Sequence, residues 1–226
     1  MAMGNNGGDG SKLYFLSVRG LKKGEKVFIK VVEPVEGKDG EYKELPDISQ
    51  VRGMVQKLEV INKTFEGESY DEIRLWLKDV NAGELGETYC LSCGVNSMGR
   101  NIINNLASIE DATLGELFIN VYMRKGTEFS AVYMEHNGEK LSWSLDKDAL
   151  APFVKSTTKK VKGSDGKTTS VKVNDYFDLN EHLLGILREQ IIPKVKPASV
   201  ERSAPATSAT SPDQGIPAGD DDDLPF

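Results

Sequence analysis

What this chain lacks narrows its function before any motif is read. Its 226 residues hold only two cysteines and two histidines. Cys90 and Cys93 form one C-x-x-C pair, but a closed zinc site needs four ligands and no second pair follows. Both cysteines therefore read as ordinary small strand residues. His136 and His182 stand apart from any nucleophile motif, and neither a P-loop nor a carboxylate metal signature occurs. The chain is expected to be no enzyme and to carry neither metal nor cofactor. It also lacks an apolar leader after Met1, an uninterrupted apolar run of bilayer length and an internal repeat. Together with the shortage of cysteine, this predicts a cytoplasmic protein in a reducing compartment with no membrane partner.

Positive charge is also short: the formal net charge is -7, which taken alone speaks against nucleic acid. The deficit is unevenly spread. Beyond residue 200, Glu201, Asp213 and Asp220 to Asp223 face Arg202 alone, so that segment carries a net -5 and the body is close to neutral. A basic surface on the body is thus compatible with the composition. The Gly/Asn-rich residues 1–10 and the Pro/Ser/Ala/Thr/Gly-rich residues 197–219 hold almost no large apolar side chains to offset the cost of ordering. Both are expected to be disordered, leaving one compact domain over residues 11–196.

Along that domain, Leu13 to Val18 and Lys26 to Val32 read as an N-terminal hairpin packed on the main body, followed by a polar stretch to Pro46. Val51 to Phe65, Tyr70 to Asp79 and Thr88 to Val95 read as three strands. Ser97 is placed to cap a helix carrying Ile102, Leu106 and Ile109 on one stripe. Leu117 to Arg124, Glu128 to His136 and, after an Asn137-Gly138 turn, Lys140 to Leu145 resume the strands. Three strands, a helix, then two or three strands match a mainly β, five-stranded Greek-key barrel of the OB type, although the order also fits other small β barrels. Val154 to Val173, rich in lysine, reads as a basic β-arm. A final helix follows with Asp178 and Glu181 near its start and Leu179, Leu183, Leu187 and Ile191 as its stripe, expected to dock on the barrel.

In the second barrel strand Ile73, Leu75 and Leu77 alternate with Arg74, Trp76 and Lys78. A half-buried strand does not need a Trp between two cations on its open face; single-stranded nucleic acid does, because aromatic planes stack bases and cations neutralise the backbone. On a later strand, inward Leu117, Ile119 and Val121 would leave Phe118, Tyr122 and Arg124 outward, with Lys125 in the adjoining loop. These seven are the candidate DNA contacts; Arg52, Lys57, Lys63 and the Lys-rich arm are weaker ones. The competing reading has Trp76 covering the N-terminal hairpin or a subunit interface, and Phe118 and Tyr122 lying under the last helix.

The sequence closes on Asp220, Asp221, Asp222, Asp223, Leu224, Pro225 and Phe226. Four Asp followed by Leu-Pro-Phe, after such a linker and such a strand order, resembles the ends of bacterial and bacteriophage single-stranded DNA-binding proteins. The fifty or so residues ahead of the barrel, the Lys-rich arm and the final helix depart from the bacterial pattern and favour a phage-like or divergent member. The resemblance implies an OB-fold that protects single-stranded DNA with little sequence preference in replication, recombination and repair, in the cytoplasm of a bacterium or of a phage's host, with homo-oligomerisation open. It also implies that residues 220–226 recruit replication, recombination or repair proteins. Physically, a pocket burying Phe226 contributes on the order of 2 kcal/mol, more than an exposed Asp pairing with a cation. Two other readings use the same features: a mediator that anneals complementary strands, and an adaptor that acts through its tail alone.

Overall fold

Alternation of apolar and polar residues sets the architecture, and most of it is sheet. The computed structural model describes residues 12–19, 26–79, 87–127, 130–162 and 168–195. The expected N-terminal disorder, linker and acidic tip lie outside the described residues. The strands are β1 (Lys12–Arg19), β2 (Phe28–Pro34), β3 (Tyr42–Ile48), β4 (Gln50–Phe65), β5 (Glu68–Lys78) and β6 (Glu87–Gly94). Helix α1 (Ser97–Ala107) follows, then β7 (Glu116–Met123), β8 (Ser130–His136) and the short β9 (Glu139–Lys140). A single turn of helix, α2 (Lys147–Leu150), leads to β10 (Lys155–Lys162), β11 (Thr168–Asp175) and α3 (Phe177–Ile186), which runs on into a π-helical turn at Leu187–Ile191.

Strands β1 to β9 form one mixed sheet in the order β3-β2-β1-β6-β5-β4-β7-β8-β9, and β10 and β11 form a separate two-stranded ribbon. All pairings in the large sheet are antiparallel except β1 with β6, which runs parallel with Phe15 opposite Cys90. Only Ser49 separates β3 from β4, so the ladder leaving β3 through β2, β1, β6 and β5 returns to the same stretch of chain at β4. The Ser49 carbonyl also accepts from the Val121 amide at 2.8 Å, tying β7 to that corner. The inward rows share one core: Leu16 of β1, Ile29 of β2, Val55 of β4, Leu75 and Leu77 of β5 and Leu91 of β6 are all at most 2% exposed.

A bulge in β4 sets the phase of its two faces. Val55 pairs with Leu77 and Lys57 with Trp76, which leaves Gln56 without a place in the ladder. Before it the inward positions are Val51, Gly53 and Val55; after it the inward residue is Leu58. Gly53 is needed where β4 crosses β5, because a Cβ there would sit 2.8 Å from the Lys78 carbonyl oxygen.

Helix α1 is capped by Asn96, whose side chain accepts from the amides of Met98 and Gly99, not by the expected Ser97. Gly99 lets it lie against the end of β6, since a Cβ there would approach the Gly94 oxygen to 2.2 Å. The expected stripe is buried: Ile102, Leu106 and, just past the helix, Ile109. Leu179, Leu183, Leu187 and Ile191 are buried too, but α3 packs chiefly on α1. Arg100 of α1 donates to Asn180 at 3.2 Å and stacks on Tyr176 at 4.3 Å. Asp178 does not cap α3; it pairs with Lys155 at 2.6 Å.

Three expectations about the strands also change. The N-terminal hairpin is part of the main sheet rather than an addition, because β1 takes the open edge of β6. A third N-terminal strand, β3, lies in the stretch read as polar, where Gly37, Gly40 and Pro46 mask its pattern. The strand expected over Lys140 to Leu145 shrinks to Glu139–Lys140, although the turn before it forms as expected, with Asn137 and Gly138 at φ 52 and 83°. Among the described residues no helix is long and apolar enough to cross a membrane.

Candidate nucleic-acid interface

The alternation in β5 is as expected: Ile73, Leu75 and Leu77 are buried, and Arg74, Trp76 and Lys78 share the opposite, half-exposed face. That face continues onto the N-terminal strands. The Trp76 ring meets Phe15 of β1 edge-on at 6.4 Å, and Phe15 meets Tyr42 of β3 edge-on at 5.7 Å. Three aromatic rings from three strands thus form a row across the outer face. Cys90 lies in the same row between Trp76 and Phe15 and is covered. Cys93 points to the other face of β6, so the two cysteines do not converge; burial pushes their thiols up to about 11 and about 12 respectively.

The Gln56 bulge brings Lys57 and Glu59 of β4 beside Trp76 and Arg74. Lys57 Nζ sits 6.0 Å from the Trp76 ring centroid and 2.6 Å from Glu59, and Glu59 accepts from the indole Nε1 at 3.2 Å. Burial pushes the Glu59 carboxyl up, but the hydrogen bonds from Lys57 and Trp76, with the charges of Lys57 and Arg74, outweigh it and hold the group below its ordinary value. Glu72 takes Arg74 at 3.0 Å and Lys63 at 2.8 Å. Arg74, expected as an open cation, is therefore paired and only 13% exposed, whereas Lys57 is 59% exposed. Toward the tip of the β4–β5 hairpin the same face carries Tyr70 and Phe65, at 42% and 65% exposure.

On β7, Leu117, Ile119 and Val121 point inward and Phe118 and Tyr122 outward, as expected. Neither lies under the last helix. Phe118 is covered by its own neighbours: the Arg52 guanidinium stacks on it at 4.9 Å and Tyr133 meets it edge-on at 6.2 Å. Arg52 is in turn held by Glu116 at 3.1 Å and Glu135 at 3.2 Å. Tyr122 is open at 36%. Arg124 is half-buried where β7 ends, and Lys125 is exposed in the turn that the Thr127 amide closes onto the Arg124 carbonyl at 3.1 Å.

Both patches lie on one outer face, joined by the cross-strand row Lys78, Met54 and Glu116. They differ in surroundings. Arg52 and Phe118 border a cleft of about 590 Å³ that also takes in Asp79 and Glu87, and Glu87 accepts from the hydroxyls of Tyr14 and Tyr89 at 3.3 and 2.6 Å. Acidic groups there disfavour a phosphate backbone.

The sequence reading missed Phe15, Tyr42, Tyr70, Phe65 and Glu59. Phe15 was legible: Tyr14, Leu16 and Val18 claim one face of β1, which leaves Phe15 outward. Tyr42 was hidden with its strand, and Glu59 by the bulge. Comparison with family models, with curated proteins and with solved structures returns no match.

Proposed function

We propose that this protein binds single-stranded DNA with little sequence preference, through the outer face of β1, β3, β4 and β5. The observation that carries the reading is the row Tyr42, Phe15 and Trp76, spaced at 5.7 and 6.4 Å with Lys57 over the indole. Successive aromatic planes beside an exposed cation are what a strand with unpaired bases uses, and every base has a face to stack. Lys78 on the same face, and Tyr122, Arg124 and Lys125 along β7, extend the contact; Arg74 joins it once a phosphate displaces Glu72.

The finer fold we propose is an OB-type barrel. In its favour, the central order β6-β5-β4-β7-β8 is the order 3-2-1-4-5 of an opened OB barrel, with a helix between the third and fourth strands. In this chain the parallel position beside the third strand is taken by β1. Residues 220–226 are proposed as the segment that recruits replication, recombination or repair proteins, from their Asp run and Leu-Pro-Phe alone.

The test is quenching of tryptophan fluorescence by oligo(dT) at two salt concentrations, in the full chain and in Trp76→Ala and Trp143→Ala. Quenching that vanishes with Trp76 and weakens with salt is the expected result. Absence of binding at low salt overturns the reading.

A further inference from the structure

The ribbon β10–β11 takes no part in the aromatic row, and its chemistry differs. Residues 155–160 and 168–172 are all exposed, so it presents both faces to solvent. The register, with Lys160 opposite Ser170 and Thr158 opposite Lys172, assigns those faces. One carries Ser156, Thr158, Lys160, Ser170 and Lys172, with no carboxylate. The other carries Lys159, Val171 and Val173, with Lys155 and Asp175 at the base, where Lys155 is held by Asp178.

We propose that the carboxylate-free face binds the groove of duplex DNA, so that the protein grips a junction where a single strand enters a duplex. This rests on the proposed single-strand binding for the other half of the junction. Three observations favour duplex over single strand as the occupant. The ribbon strands hold no aromatic residue, so they have nothing on which an unpaired base can stack. Two paired strands make a ribbon narrow enough for a major groove about 12 Å wide. Lys160 and Lys172 flank hydroxyls without a competing acid, which suits phosphates with sugar or base edges between them. On the aromatic face, by contrast, Glu59 lies beside Lys57, and Glu72 holds Arg74 and Lys63.

The experiment measures the full chain's affinity for an oligo(dT) strand, for the same strand joined to a blunt duplex stem, and for the stem alone. It is repeated with Lys160→Ala/Lys172→Ala, and with Lys140→Ala/Lys147→Ala, which removes equal charge from exposed positions elsewhere. The expected wild-type preference for the junction over oligo(dT) is on the order of tenfold, since each lysine–phosphate contact releases counterions. The ribbon variant loses that preference, keeps its oligo(dT) affinity, and shows a junction salt slope shallower by roughly 1.8; the control variant behaves as wild type. Equal affinity of the wild type for junction and single strand overturns the inference. So does a ribbon variant that weakens on both alike, or a control that loses the preference as well. Oligo(dT) binding without a junction preference sinks the ribbon alone. Stem binding that depends on Lys160 and Lys172, without oligo(dT) binding, sinks the single-strand reading alone. Binding to none of the three sinks both.

Discussion

Trp76 and Phe118 occupy equivalent places, outward aromatics on alternating strands of one sheet, each with a basic residue over the ring. Their neighbours make them different. Arg52 is clamped over Phe118 by two glutamates, and Tyr133 closes the side, so the ring is spent on internal contacts. Lys57 lies over Trp76 with a single carboxylate beside it and more than half its side chain open. Alternation assigns a side chain to a face; the carboxylates on the flanking strands decide whether that face is free to take a ligand.

The largest expected effect separates these two rings. Trp76→Ala should weaken oligo(dT) binding by about 1–3 kcal/mol, roughly five- to 150-fold, as loss of one stacked base does. Phe118→Ala should leave that affinity within a few-fold of wild type. A titration in which Phe118→Ala costs as much as Trp76→Ala breaks the comparison and moves the path of the strand onto β7.

A smaller effect, of opposite sign, should follow when the competing acid is removed. In Glu59→Gln the side chain keeps an acceptor for the indole but no longer pairs with Lys57, which becomes available to phosphate. Affinity should rise a few-fold, with the salt slope steeper by roughly 0.9, one added phosphate contact. An unchanged slope would mean that Lys57 does not face the backbone.

How much of this was legible follows the same division. The inward rows of β5 and β7 and the stripe of α3 are patterns of period two or 3.6, and the turn at Asn137 is a two-residue signal; all are local, and they were read from the sequence. The parallel pairing of β1 with β6 was not, because it joins residues far apart along the chain with no local mark. Nor was the bulge at Gln56: an inserted residue reverses the faces of β4, and only the partner strand reveals it. The acids that bind Arg52 come through the pairings of β4 with β7 and of β7 with β8, and Glu59 reaches Trp76 past the bulge, so these outward residues could be named while their availability could not. Glu72, two residues from Arg74 on the same face of β5, was within reach of the alternation itself.

The β7 region also differs from the Trp76 face in its response to pH. His136 is 6% exposed; its Nε2 accepts from the Gly115 amide at 2.9 Å, and its Nδ1 lies 3.6 Å from Asp111. Burial lowers its pKa and Lys194 adds to that, against Asp111 and Glu139, and the net shift is below the ordinary value of 6.5. The folded state thus binds fewer protons than the unfolded chain in that window. The stabilisation is complete above about pH 6.5 and is lost as pH falls below it toward the depressed value, where the imidazole protonates and the Gly115 amide loses its acceptor. Glu59, held low by its partners, keeps its charge throughout that range. The expected outcome is a modest fall in Tm between pH 7.5 and 5.5 that His136→Gln flattens, while the emission maximum of folded Trp143→Ala, in which Trp76 is the remaining tryptophan, stays constant. A shift of that maximum over the same range would couple the two patches, and the contrast drawn between them would fail.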